Sequence, residues 1–284
     1  MTLGKAIKHY ENFAIKHNAE VEAIKWLIME LLEYTATEIY LKQDEMLNDE
    51  QVALIDLNVK KYVLDKIPVQ HLLGYAYFYG YKFGVNQDVL IPRRETEELV
   101  ENILIYYDKY FAQKLVDVID LGTGSGCIGI TLAKEEANLV VIAADVSDKA
   151  LVIAKENAYR LNVNVELIES NWWKNVKGEF DILVANPPYI PNGEAIGNTV
   201  DKEPEVALYG GDSGLVYYEE ILKGAKQHLK SQALIGFEHG YQHNEELMNL
   251  INQYFPESIV IQKKDLQGLD RFTFIGIGGV LNDE

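Results

Sequence analysis

The sequence predicts an α/β fold in which a seven-stranded, doubly wound sheet follows a small helical bundle and a β-hairpin linker. Three observations carry that prediction. From residue 116 onward, short apolar runs alternate with helix-period segments, the pattern of successive βα units around a mainly parallel sheet. Residues 1–76 instead repeat their apolar positions at helical spacing. Between the two, Tyr77 to Ile91 is aromatic and β-branched around Gly84, Asn86 and Asp88, which is the texture of a hairpin.

In the bundle, Leu3, Ile7, Tyr10, Phe13 and Ala14 make one helical stripe, and Val21, Ile24, Ile28, Leu31 and Leu32 a second. Thr35-x-x-Glu38 and Asn48-x-x-Gln51 are capping-box patterns, so further helices are expected to start there. The expected division is 1–76, 77–94 and 95–284. Within the last segment the strands read as 116–121, 139–144, 164–169, 180–185, 232–238, 258–263 and 271–277, with helices between most of them. In such sheets ligands gather at the carboxyl ends of the strands, where Asp120, Asp145 and Asn186 stand. Residues 190–213 form a long Gly- and Pro-containing loop just beyond, placed as a lid would be.

Composition narrows the function classes. At 284 residues and 48% hydrophobic, the chain can build two cores. No apolar stretch approaches the roughly 20 residues that span a bilayer, and Met1 to Lys5 lacks a secretory h-region, so no membrane association and a cytoplasmic location are expected. The formal charge of −18, with only four arginines, argues against a phosphate-gripping surface and so against direct nucleic-acid binding; it suits either a basic protein partner or simple solubility. The single cysteine, Cys127, allows no internal disulfide and reads as a small buried filler. His239 and His243 have the i, i+4 spacing of a shared helix face, but no carboxylate or cysteine cluster completes a metal site, so they read as packing histidines.

Two motifs carry chemistry. Asn186-Pro187-Pro188-Tyr189 follows the buried-strand pattern 180–185. An amide or exocyclic amino nitrogen is a poor nucleophile because its lone pair is delocalised. The Asn186 carbonyl can accept from such a nitrogen, and the two prolines remove backbone donors and leave carbonyl oxygens free to accept as well. The Tyr189 ring can stack on the planar group. Acceptors placed this way select the nitrogen, orient its lone pair and stabilise the charge that develops on it. The second motif, Asp120-Leu121-Gly122-Thr123-Gly124-Ser125-Gly126, breaks an apolar run into a glycine-rich turn that opens a helix at Ile128. Because Gly124, Gly126 and Gly129 satisfy Gly-x-Gly-x-x-Gly, a nicotinamide cofactor competes. Asp120, standing where a pyrophosphate would be repelled, and the Asn-Pro-Pro-Tyr turn favour S-adenosylmethionine, with Asp145 placed to meet ribose hydroxyls.

With these motifs in place, the chain resembles the release-factor glutamine methyltransferases, the HemK/PrmC family of class I S-adenosylmethionine-dependent enzymes. The resemblance runs over Pro68 to Gly74, Leu90 to Glu97, Asp120 to Gly126, Asn186 to Tyr189, and Glu203 to Leu208 with Gly210-Gly211. It implies a class I methyltransferase domain, a hairpin linker and a helical domain that docks the substrate. The implied reaction moves a methyl group from S-adenosylmethionine, leaving S-adenosylhomocysteine. Its acceptor would be the side-chain amide of the glutamine in the Gly-Gly-Gln motif of class I peptide-chain release factors. On the resemblance, Asp120, Gly122, Thr123, Gly124, Ser125 and Gly126 line the donor pocket, Asp145 binds its ribose and Trp172 lies along its adenine. Asn186, Pro187, Pro188 and Tyr189 clamp the glutamine, and Arg93 and Glu97 lie with the substrate. Arg93, Glu95 and Glu97 also read as a charged helix start, which Glu95 and Glu97 suit, and Trp172 and Trp173 also suit core packing. The chain departs from the family pattern at Arg94, where proline is usual, and at Asn171, where aspartate is usual. A nucleic-acid amino methyltransferase would use the same Asn-Pro-Pro-Tyr turn, and a nucleotide-binding regulatory module would use the glycine loop alone.

Overall fold

A computed structural model describes residues 1–112, 114–194, 197 and 200–283. Two compact units emerge, one of Met1–Tyr75 with Ile196–Lys202, the other of Ala76–Ala195 with Glu203–Glu284.

The first unit is helical: α1 (Leu3–Lys16), α2 (Glu22–Leu31), α3 (Ala36–Leu41), α4 (Asp49–Val63) and α5 (Val69–Leu73). The apolar stripes read from the sequence become its core, where Leu3, Ile7 and Tyr10 pack with Ile24, Leu27 and Ile28 and with Ile55 and Val59. Both capping boxes form, Thr35 with Glu38 and Asn48 with Gln51, so the orphan N–H groups at the starts of α3 and α4 find acceptors.

A two-stranded hairpin, β1 (Tyr75–Phe78) and β2 (Tyr81–Gly84), comes next. Its turn is Tyr79-Gly80, both residues at positive φ (52° and 78°), as a two-residue hairpin turn demands. The turn therefore lies several residues before Gly84, Asn86 and Asp88, and residues 85–93 are irregular. Phe78 meets Phe83 edge to face across the pair, with ring centroids 5.9 Å apart, while the Asn86 side chain accepts from Asp88 N at 2.8 Å and turns the chain out of the strand.

The remaining elements are α6 (Arg94–Tyr110), β3 (Val116–Leu121), α7 (Cys127–Glu135), β4 (Leu139–Asp145), α8 (Asp148–Leu161), β5 (Glu166–Glu169), β6 (Phe180–Ala185), α9 (Val216–His228), β7 (Leu229–Glu238), α10 (Asn244–Tyr254), β8 (Ile259–Lys264) and β9 (Asp270–Ile277). The sheet runs β5-β4-β3-β6-β7-β9-β8, with β9 antiparallel to both neighbours and the other pairs parallel. Each expected strand is present. Val118 and Ile119 are both fully buried but belong to different apolar clusters, one under α6 and α7, the other under α9 and α10. Burial on both faces explains why these strands read as near-continuous apolar runs. The chain winds outward from β3 to β5 and then returns to β6 on the other side of β3, so the topological switch point lies between the ends of β3 and β6. His239 and His243 fall between β7 and α10 and share no helix face, because the backbone is still leaving the strand there.

Candidate active site

At the switch point a cavity of about 300 Å³ opens between the carboxyl ends of β3, β4 and β6 and the loops around them. Gly122 and Gly124 come from the turn after β3, Asp145 ends β4, Trp172 follows β5, and Asn186 and Pro188 follow β6. Among the described residues that line it there is no Lys, Arg or His, while Asp88, Asp145 and Glu220 are all present. Such a lining suits a cationic or neutral ligand and repels a pyrophosphate.

The glycine turn is held from below. Asp120 is fully buried, and its Oδ2 accepts from Thr123 Oγ1 at 2.6 Å and from Gly129 N at 2.9 Å. Burial pushes its carboxyl up to about 6 against those bonds. Asp120 thus braces the loop and does not line the cavity; the acidic face toward a ligand comes from Asp88, Asp145 and Glu220 instead. Thr123, Ser125 and Gly126 also stand outside the lining. Gly126 caps α7 at φ 83°, and a Cβ there would sit 2.4 Å from Ile130 Cδ1, so the turn needs glycine for conformation and for space. Cys127 is buried, its thiol pushed up to about 12 by desolvation, in keeping with a filler.

Asp145 accepts from Gly124 N at 2.8 Å and Ser147 N at 2.9 Å, tying the ends of two loops together. A carboxylate offers about four lone-pair sites, so capacity remains for hydroxyls of a ligand. Trp172 stands at φ 48°, a conformation held by Ser170 Oγ, which donates to Trp172 O at 2.7 Å and accepts from Asn175 N at 2.9 Å. Its ring leans on Tyr217, which also lines the cavity. Trp173 turns away, stacks on His228 and donates from its indole to Ile221 O at 2.9 Å, so one tryptophan lines the cavity and the other packs.

Asn186 is fixed by two residues given no role from the sequence. Its Nδ2 donates to Thr96 Oγ1 at 3.3 Å, Thr96 Oγ1 donates to Glu238 Oε2 at 2.7 Å, and the nearby Asn186 amide favours the ionised Glu238 carboxylate. Glu238 is the last residue of β7 and 2% exposed; burial pushes its carboxyl up to about 7. Pro188 lines the cavity, whereas Pro187 is buried and Tyr189 packs edge-on against His243, its hydroxyl pushed up to about 12 by burial. Neither Pro187 nor Tyr189 is in the cavity lining.

Arg93 and Glu97 are also engaged within the chain. Arg93 pairs with Glu203, whose other oxygen accepts from Ile91 N at 2.8 Å, so the Leu90–Glu97 and Glu203–Leu208 segments clasp each other. Glu97 accepts from Tyr79 N at 2.9 Å. Of the loop expected as a lid, residues 195, 196, 198 and 199 lie outside those described. The part after Glu203 is fastened to the Asn-Pro-Pro-Tyr turn, with Ile190 N donating to Leu208 O at 3.0 Å and Gly210 N to Ile190 O at 2.8 Å. Val206 and Ala207 line the cavity as fixed wall. Residues 88–90, Tyr217 and Glu220 also line the cavity and were not read from the sequence as site residues. His239 is buried against Thr273, Nε2 to Oγ1 at 2.9 Å, and among the described residues no group of His, Cys, Asp and Glu is placed to hold a metal ion.

Residues 107–263 match the model of the Methyltransferase small domain and residues 6–74 that of the PrmC N-terminal domain. A release factor glutamine methyltransferase of Bacillus cereus is 33% identical over 280 residues, covering 96% of this chain and 99% of the relative. One from Flavobacterium psychrophilum is 36% identical over 264 residues, covering 89% and 90%. The solved structure of a methyltransferase from Pyrococcus furiosus shares the fold at a TM-score of 0.52 and 20% identity, covering 82% of this chain and all of that one. Among the described residues no helix is long and apolar enough to cross a membrane. The chain belongs to the release factor glutamine methyltransferase family and is an enzyme of the methyltransferase class.

Proposed function

We propose that the chain methylates the side-chain amide nitrogen of the Gly-Gly-Gln glutamine of class I peptide-chain release factors, with S-adenosylmethionine as donor. The observation that carries the proposal is that Asn186 and Pro188 open into the same cavity as Asp145 and Trp172, so that an amide clamp and a nucleoside-sized wall meet at one point. Asp145 would accept from ribose hydroxyls, Trp172 and Tyr217 would flank the adenine, and Asn171, also in the lining, keeps a carbonyl acceptor for its amino group. When bound, S-adenosylmethionine supplies a methyl group made electrophilic by a sulfonium centre.

The protein's part is orientation. The Asn186 carbonyl and the backbone oxygens of the proline turn accept from the glutamine NH₂, draw its lone pair out of conjugation and stabilise the positive charge that grows on nitrogen. The strongly acidic protonated amide that results then gives its extra proton to solvent water, so no side-chain base is required. Tyr189 and Pro187 support the turn from behind. Residues 1–76 are proposed to dock the release factor.

The test is to incubate the full chain with labelled donor and, separately, purified release factor and total RNA. Label should enter the release factor at the Gly-Gly-Gln glutamine, and a Gln→Glu substrate should take up none, since a carboxylate offers no N–H to the acceptors. Labelled RNA with unlabelled release factor would overturn the proposal.

A further inference from the structure

An asparagine amide can present either end, and a clamp for an NH₂ group works only if the carbonyl faces the substrate. We propose that Glu238 and Thr96 are positioning residues that set the polarity of the Asn186 amide, the carboxylate ending a one-way chain of hydrogen bonds that leaves the Asn186 carbonyl oxygen for the cavity. The inference rests on the proposed role of Asn186 and goes beyond it. An ionised carboxylate can only accept. The Thr96 hydroxyl must therefore give its proton to Glu238, at 2.7 Å, and has only lone pairs left for Asn186. Asn186 answers with Nδ2, at 3.3 Å from Thr96 Oγ1 and near enough to the same carboxylate to favour its ionised form. Direction thus passes from a charge on β7, through α6, to the turn after β6.

The frame around the chain is rigid. Thr96 is 2% exposed, and Tyr218 donates to Glu238 O at 2.7 Å, pinning the end of β7. The titratable groups facing the carboxylate are Arg271 on β9, Glu95 on α6, Tyr189 after β6, Tyr218 on α9 and Cys127 on α7. Burial holds Tyr189, Tyr218 and Cys127 in their neutral forms, so the Arg271 guanidinium is the cation favouring ionised Glu238, and Glu95 opposes it. Desolvation outweighs both and lifts the Glu238 carboxyl to about 7. Below that pH Glu238 carries its own O–H, can donate to Thr96, and no longer dictates direction; the amide is then free to turn its NH₂ toward the substrate NH₂.

Single-turnover rates of the full chain with saturating donor, donor affinity by calorimetry, and rates between pH 5.5 and 8.5 decide the matter, with Asn186→Ala as the reference variant. Thr96→Val should lower the rate by roughly 10–100-fold, the range expected when a reacting group is misaligned, with donor affinity within about twofold of wild type. Thr96→Ser, which keeps the hydroxyl, should recover most of the rate. The wild-type rate should rise through about pH 7, whereas Glu238→Gln should be slower and flat across that range. A Thr96→Val rate within about twofold of wild type, or a Glu238→Gln profile that still rises, would overturn the inference. If Asn186→Ala is damaged while Thr96→Val is not, only the positioning role fails; if Asn186→Ala is itself unimpaired, the proposed function fails first. Should valine at 96 unfold the chain, the Glu238→Gln pH profile alone decides.

Discussion

Replacing Glu203 by alanine would loosen two walls of the cavity at once. Glu203 is 5% exposed and accepts from Ile91 N at 2.8 Å and from the Arg93 guanidinium. Ile91 is itself 2% exposed, so its freed N–H would meet neither a protein acceptor nor bulk water, at a cost of about 1–3 kcal/mol. Arg93 is 35% exposed at its side chain and regains hydration when released, which limits its share to about 1 kcal/mol. The two together come to about 2–4 kcal/mol. Leu90 and Val206, which flank the clasp in sequence, both line the cavity, so the loss should reach the donor site. Urea denaturation should show that destabilisation, and calorimetry should show donor affinity falling by roughly tenfold, a difference of about 1.4 kcal/mol. Glu203→Gln keeps an acceptor for Ile91 and loses the charge facing Arg93, so it should cost less than half as much and leave affinity within a few-fold. Wild-type stability and affinity in Glu203→Ala would refute the reasoning. A glutamine variant as damaged as the alanine one would show that the ion pair, and not the buried N–H, holds the clasp.

Asp145→Ala should weaken S-adenosylmethionine binding by roughly ten- to a hundredfold, from lost ribose acceptors and the untying of Gly124 and Ser147; NAD should not compete for the wild-type site in the same calorimetric titration. Gly126→Ala combines a φ of 83° with a Cβ 2.4 Å from Ile130 Cδ1, and should cost about 2–4 kcal/mol in thermal unfolding; an unchanged midpoint would show that the turn can shift. Glu238→Gln tests burial through pH. The folded carboxyl is raised from 4.5 to about 7, so wild-type stability from this group is full below about pH 4.5 and is lost as pH rises through about 7. Urea curves at pH 4.5 and pH 8 should therefore show the glutamine variant gaining on wild type by about 3 kcal/mol at the higher pH, and a gap that does not move would place Glu238 in contact with water.

The parts of the site that could be read from the sequence are those where chemistry and local structure occupy the same few residues. Asp145 and Asn186 close buried strands, so burial pattern and side-chain type pointed the same way, whereas Trp172, which also lines the cavity, entered on the family resemblance. The capping boxes of α3 and α4 were legible for the same reason, each being complete within four residues. Thr96 and Glu238 are 142 residues apart, and nothing in either neighbourhood says that they meet, although an acidic residue ending a buried strand was a signal at Glu238. Residues 88–90 were hidden by texture: the aromatic run belongs to β1 and β2, and Asp88, read as part of a hairpin, forms cavity wall with the apolar Val89 and Leu90. Arg93 and Glu97 entered with the substrate on the family resemblance alone, and the partners they have within the chain, Glu203 and Tyr79 N, lie 110 and 18 residues away, beyond any local pattern.

In sheet order, the strand ends read Asp145 on β4, Asp120 on β3, Asn186 after β6 and Glu238 on β7, and burial divides their work. Asp120 and Glu238 lie beneath the cavity, where desolvation lifts their carboxyls to about 6 and about 7, while Asp120 Oδ2 accepts from Thr123 and Gly129 and Glu238 Oε2 accepts from Thr96. Asp145 faces the cavity with Asp88 and Glu220. Under the proposed reaction this difference separates affinity from rate. A sulfonium is cationic before methyl transfer and sheds that charge as the methyl leaves, so acidic groups lining the cavity would favour the bound donor and act on binding rather than on the rate. Positive charge on the amide nitrogen appears only as the methyl arrives, so an acceptor aimed at that nitrogen acts on the rate. Asn186, held by Thr96 and Glu238, is the cavity residue so placed, which is why substitutions at positions 96, 186 and 238 are expected to appear in turnover and those at 145 and 203 in donor affinity.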